Sequence, residues 1–158
     1  MSVQDNQPVR GRLQTFRRAF SLIVAGEEPW IALGNFMHQF FGYRDRAELV
    51  REEIEVPGEP SLEQWRWAVY IAASVEYLCK KYDLEIPAWA TGEKYQLAEP
   101  WYDDLCADLA EVQQELREET PEEFARRNVF CGADPWANKY EKSRRRVVDD
   151  ESLERKTA

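Results

Sequence analysis

The chain has 158 residues, 44% of them hydrophobic and 13% aromatic, with 30 acidic side chains against 21 basic ones and a formal charge of −9. That length is one domain, large enough to bury about two-thirds of the surface its unfolded chain exposes. No apolar run approaches the roughly 18 residues of a membrane span, and the opening MSVQDNQPVRGRLQTF lacks the apolar core and small-residue cleavage site of a signal peptide, so a cytoplasmic protein with no membrane contact is expected.

Residues 1–8 are polar and are expected to be a flexible N-terminus. From Val9 the pattern turns helical: Leu13, Phe16, Phe20 and Ile23 follow helical spacing, and Gly26 is a natural stop. Pro29 suits the first turn of a second helix, whose Trp30, Leu33, Phe36, Met37, Phe40 and Phe41 make a broad apolar face that ends at Gly42. A third, short helix from Arg44 to Ile54 carries Ala47, Val50 and Ile54 on one stripe, and EVPGEP then breaks the chain. Ser61, with Gln64 three residues on, forms a capping box for the longest helix, 62–82. Its stripe is Trp65, Ala68, Ala72, Val75, Cys79 and Tyr82, widened by Ile71 and Leu78, so the other helices should enclose it.

Residues 83–100 have no helical period and read as an ordered loop that lays Trp89, Tyr95 and Leu97 back on the core. Pro100 is read as opening a fifth helix with Trp101, Leu105, Leu109, Val112 and Leu116 inward. Thr120-Pro-Glu-Glu123 is a further helix start, with Thr120 as N-cap. The expected architecture is all-α: one compact bundle of five to six helices over 9–140, with the aromatic loop 83–100 on its surface and a charged, mobile tail over 141–158.

The rare residues exclude several chemistries. His38 is the single histidine, and Cys79, Cys106 and Cys131 lie 27 and 25 residues apart with no CxxC, so the usual zinc and di-iron ligand sets cannot be built. The thiols read as reduced and unlinked. GxGxxG, GxxxxGK[ST] and GxSxG are absent. His38 is expected to be packed among apolar neighbours, and Cys79 and Cys106 to be core thiols. Arg126 and Arg127 precede Cys131, and cations there would favour a thiolate, but no base or oxyanion site accompanies it. No cofactor and no catalytic residue is assigned.

Charge is uneven. Residues 61–121 hold thirteen acids against five bases, while Arg144, Arg145 and Arg146 form a basic knot in the tail. Asp104, Asp108, Glu111 and Glu115 sit at i, i+4, i+7 and i+11, which on a helix is one face. That face is a solvated surface, a hard-cation site or a surface for a basic partner; Mg²⁺ asks for only one or two carboxylates plus a substrate phosphate. Of the six tryptophans, Trp30, Trp65 and Trp101 fit helix core positions, leaving Trp67, Trp89 and Trp136 to rim a partner surface. Base stacking by these rings would need a basic groove, which the acidic middle of the chain does not offer, so direct nucleic-acid binding by the body is not expected.

The segments PWIALGNFMHQFF, W-x-A-VYIAASVEYLCKKYDLEIPAW, Y-x-L-AEPWY and TPEEFARRNVF together resemble a family of small bacterial helical proteins, over about residues 29–131. Some relatives stand beside, or are fused into, toxin–antitoxin modules, including ones with nucleotidyltransferase-like toxins. The resemblance carries over no catalytic residue, and the helix-turn-helix of the fused versions is not found ahead of the shared part. Taken with the acidic middle of the chain, it implies an antitoxin-like, non-catalytic module that would use Asp104, Asp108, Glu111 and Glu115, the acids read from spacing, against a basic, nucleic-acid-handling partner. The alternative is a small enzyme built on a carboxylate cluster or on Cys131.

Overall fold

The computed structural model describes residues 13–42 and 45–137. The proposed flexible N-terminus, the helix start at Val9, and the 141–158 tail with its Arg144–Arg146 knot lie outside the described residues. The architecture is all-α, as the periodicity predicts. Among the described residues there are six α-helices: α1 (Phe16–Val24), α2 (Pro29–Gly42), α3 (Arg46–Arg51), α4 (Leu62–Lys81), α5 (Ala110–Glu119) and α6 (Glu122–Ala125). Among the same residues a 3₁₀ turn covers Ala88–Ala90, and two short strands, β1 (Trp101–Tyr102) and β2 (Val129–Phe130), pair in parallel.

Local chemistry sets the helix ends. The Thr15 hydroxyl accepts from the Arg18 N–H at 3.0 Å and starts α1, and Gly26 follows its end at φ +107°, where a side chain would be strained. The capping box of α4 forms in full, with Ser61 and Gln64 each accepting the other's backbone N–H. Every residue of α4 from Trp67 to Glu76 is buried, so this helix is the axis of the molecule. Helices α1 and α6 and the 3₁₀ turn pack on it, while α2 and α3 pack on α1.

The densest part of the core is aromatic. Phe16 and Phe36 stack with ring centroids 3.6 Å apart, and Trp136 meets both edge-on at 5.8 Å. Trp136 donates its Nε1–H to the Ser74 hydroxyl at 2.6 Å, and Ser74 donates to the Tyr70 carbonyl at 2.7 Å, so the buried polar atoms here are satisfied. The loop 83–100 lies on the core as expected: Tyr95 and Leu97 are buried, and Trp89 is half-buried with its Nε1–H on the Arg51 carbonyl.

The tryptophan assignment is overturned. Trp67 and Trp136 are buried, whereas Trp30 is 46% exposed and Trp65 and Trp101 are half-buried. Trp65 lies at the edge of its stripe, stacked on Tyr95. Two further expectations are corrected. His38 is exposed rather than packed, because α2 turns its Ala32, Leu33, Phe36 and Phe40 edge inward. Cys106 is exposed, while Cys79 is a core thiol.

Candidate functional site

The stretch proposed as a fifth helix from Pro100 folds in three parts. Trp101 and Tyr102 enter the strand pair, opposite Val129 and Phe130. Two groups then hold the chain out of a helix: the Asp104 carboxylate accepts the Cys106 N–H at 2.8 Å, and Gln113 donates to the Ala107 carbonyl at 2.7 Å. Only from Ala110 does a helix run, and its N-cap position is Leu109, with no side-chain cap. Asp104 and Asp108 therefore stand in the turn segment, and only Glu111 and Glu115 share helix α5. The single helix face drawn from their spacing does not form. All four acids are exposed.

The same change turns two leucines outward. Leu105 is fully exposed at 103% and Leu109 is 53% exposed, where helical spacing had put both inside; Leu116 alone of that stripe is buried. Acids and bare leucines are thus interleaved from Asp104 to Glu115. An exposed large apolar side chain beside charge is more informative than an exposed acid, because acids are ordinarily outside.

Upstream, Trp101 joins an aromatic group on the flank of α4. Trp67 meets Trp30 at 88° and Trp101 at 84°, with centroids 5.5 and 5.1 Å apart. Tyr70 touches all three rings. Burial raises the Asp103 carboxyl above its ordinary value, and neighbouring Asp104 adds to the effect. Burial, reinforced by Asp103, pushes the Cys131 thiol up to about 12. Cys131 is thus a neutral thiol at physiological pH, and the thiolate that Arg126 and Arg127 were expected to favour does not form. Those two arginines are engaged elsewhere.

They belong to a second site, on the side of α4 that carries Glu76. A polar cleft of about 330 Å³ is lined by Glu76, Thr91, Glu93, Gln96, Arg126 and Arg127, among others. Glu76 and Arg127 are 5% and 2% exposed. Arg127 Nη1 donates to Glu76 Oε1 at 3.0 Å and to the Glu123 carbonyl at 2.7 Å, while Nη2 takes the Ala90 carbonyl. Arg126 Nη2 reaches the same Glu76 oxygen, and Lys80 stands 3.9 Å from the other. Burial by itself would raise the Glu76 carboxyl, but the hydrogen bonds from Arg126 and Arg127 outweigh it and hold the group below its ordinary value.

The pair also ties the chain together. Glu76 is on α4, Ala90 is on the 3₁₀ turn and Glu123 is on α6, so one guanidinium joins three elements. Next to it the Leu97 N–H donates to the Arg127 carbonyl, and Asn128, at φ +66°, donates its side-chain amide to the Leu97 carbonyl. Thr120, read as the N-cap of α6, accepts the Gly132 N–H at 2.9 Å instead, and Pro121 takes the cap position.

Apart from Arg126 and Arg127, named only for their place before Cys131, the cleft residues were not singled out from sequence. The available signal was Glu76, the one acid inside the apolar run AVYIAASVEYLC. Among the described residues, no group of three or more His, Cys, Asp and Glu side chains is placed to hold a metal ion. No described helix is long and apolar enough to cross a membrane. Comparison of the chain with protein-family models, with curated proteins and with solved structures returns no match.

Proposed function

We propose that this chain is a non-catalytic protein-binding module, antitoxin-like in action, whose 104–115 segment docks on a basic, nucleic-acid-handling protein. The observation that carries the reading is the interleaving of Leu105 and Leu109, both bare, with the exposed acids Asp104, Asp108, Glu111 and Glu115. An interface needs an apolar centre that loses water on contact and a polar rim that selects the partner, and this segment offers both. Acids at the rim speed encounter with a cationic surface, an effect that salt screens. A protein that handles nucleic acid carries such a surface for its own substrate.

The test is affinity capture from the native host, followed by on-rates for the recovered protein against ionic strength. The wild type should associate fast at low salt and more slowly as salt rises. Replacing Asp108, Glu111 and Glu115 by Lys should cut the on-rate and flatten its salt dependence. Leu105→Ser with Leu109→Ser should instead raise the off-rate. Unchanged rates in both variants would remove this segment from the interface.

A further inference from the structure

The cleft beside α4 has a charge balance unlike the rest of the molecule. Lys80, Arg126 and Arg127 stand with Glu76, Glu123 and, on the cleft wall, Glu93, three cations to three acids, in a chain whose formal charge is −9. The two guanidiniums are consecutive in sequence and converge on one oxygen of Glu76, which fixes both side chains before any ligand arrives. Preorganised guanidinium groups are the usual recognition device for carboxylate and phosphate.

Counting hydrogen-bond capacity shows what remains open. Arg126 uses one nitrogen on Glu76 and keeps its side chain 39% exposed. Arg127 gives both Nη1 protons and one from Nη2, but its buried Nε–H has no acceptor among the described residues. An orphaned guanidinium donor in a buried position is costly, and an oxygen atom in the cleft would satisfy it. The other groups on the wall are mostly acceptors. Thr91 has already given its hydroxyl proton to the Ala88 carbonyl, and Gln96 has given an amide proton to the Arg126 carbonyl. What they still present, with the Glu93 carboxylate on the wall, is oxygen lone pairs and the second amide N–H of Gln96.

We propose that this cleft is a binding site for a small organic anion, with its carboxylate or phosphate on Arg126 and Arg127 and hydroxyl or amino groups toward Thr91, Gln96 and Glu93. The volume, about 330 Å³, is at the small end of ligand sites and larger than an isolated oxyanion needs. The proposal does not depend on the 104–115 segment or on any protein partner.

The experiment is titration calorimetry of the full chain at constant ionic strength with acetate, inorganic phosphate and glycerol phosphate, against a chloride control. Saturable binding is expected, with glycerol phosphate tighter than inorganic phosphate because it brings hydroxyl donors. Phosphate binding stronger than acetate would assign a phosphate ligand, and the reverse a carboxylate. Arg126→Gln should weaken binding about tenfold, the loss expected for one charge-assisted bond. Its fold is kept by Arg127 and Lys80 on Glu76, as far-UV circular dichroism would show. Glu93→Gln should tighten acetate, which has no hydroxyl to give this side chain and meets only its repulsion, and Glu93 is exposed and has no part in the core. No saturable binding of any of the three anions, glycerol phosphate no tighter than phosphate, unchanged binding in Arg126→Gln, or weaker acetate binding in Glu93→Gln would overturn the proposal.

Discussion

The two charged regions of this molecule use the same side-chain types in opposite ways. Around Glu76 a buried carboxylate meets a buried guanidinium: Glu76 receives Arg127 from inside and Arg126 from the surface and lies near Lys80, and the arrangement closes α4, the 3₁₀ turn and α6 on one another. From Asp104 to Glu115 the charges are exposed, and the nearest contacts are backbone turns. Taking a charge out of water is expensive, so the first region must satisfy its charges or lose the fold. The second costs the fold little and is free to face another molecule. Substitutions in the two regions should therefore differ in what they cost the fold.

The largest effect is expected at Arg127→Ala. It takes from Glu76 its one buried partner, leaving Arg126 and Lys80, and strands the Ala90 and Glu123 carbonyls, so unfolding free energy should fall by about 3–5 kcal/mol in chemical denaturation. A loss under about 1 kcal/mol would mean that water reaches Glu76 and that the contrast between the regions is false. Trp136→Ala should cost a similar amount, about 3–5 kcal/mol, because the ring fills the gap between Phe16, Phe36 and Tyr70 and caps Ser74.

Acid should separate the regions next. The Glu76 carboxyl is held below its ordinary value of 4.5. Its contribution is complete above that value and is lost as pH falls through the lower, folded value. Glu53 behaves in the same sense, held down first by Lys94 and then by Tyr95, but it is more exposed and should matter less. The denaturation midpoint followed from about pH 7 to pH 3 should drop at the acid end, and Glu76→Gln should blunt that drop. An unchanged acid limb in Glu76→Gln would assign it to other carboxylates.

Smaller still is the expected effect of Leu105→Ser with Leu109→Ser on stability, within about 0.5 kcal/mol per site, as for surface positions without special contacts. A loss of several kcal/mol would show that these leucines are covered in solution. The finest test is thiol labelling. Cys106 is exposed and should react in the native protein, whereas Cys131, its thiol pushed up to about 12, and buried Cys79 should wait for unfolding. Rapid native labelling of Cys131 would contradict its protonated, half-buried setting.

How far the sequence could be read follows the range of the forces involved. Helices α1, α2 and α4 were legible because caps and 3.6-residue periodicity act over one or two turns. Thr15, Gly26, Pro29 and the Ser61–Gln64 box are all local devices. The loop over Trp89, Tyr95 and Leu97 was legible because apolar residues without a period still have to be buried. The 101–109 stretch misled because its apolar spacing suits a helix, while the Trp101 N–H is taken by the Asn128 carbonyl, 27 residues away in sequence. The four acids are exposed, but the single helix face read from their spacing does not form.

What the sequence by itself determined is the all-α class, the long central helix with its capping box, and the concentration of acid in the middle of the chain, each of which depends on neighbours a few residues apart. Only the tertiary structure decided which tryptophans are core, that Leu105 and Leu109 are bare, and that Glu76 meets Arg127 across 51 positions. Burial of a charge is a property of all the elements that surround it, and no spacing along one helix records which distant guanidinium will be there to meet it.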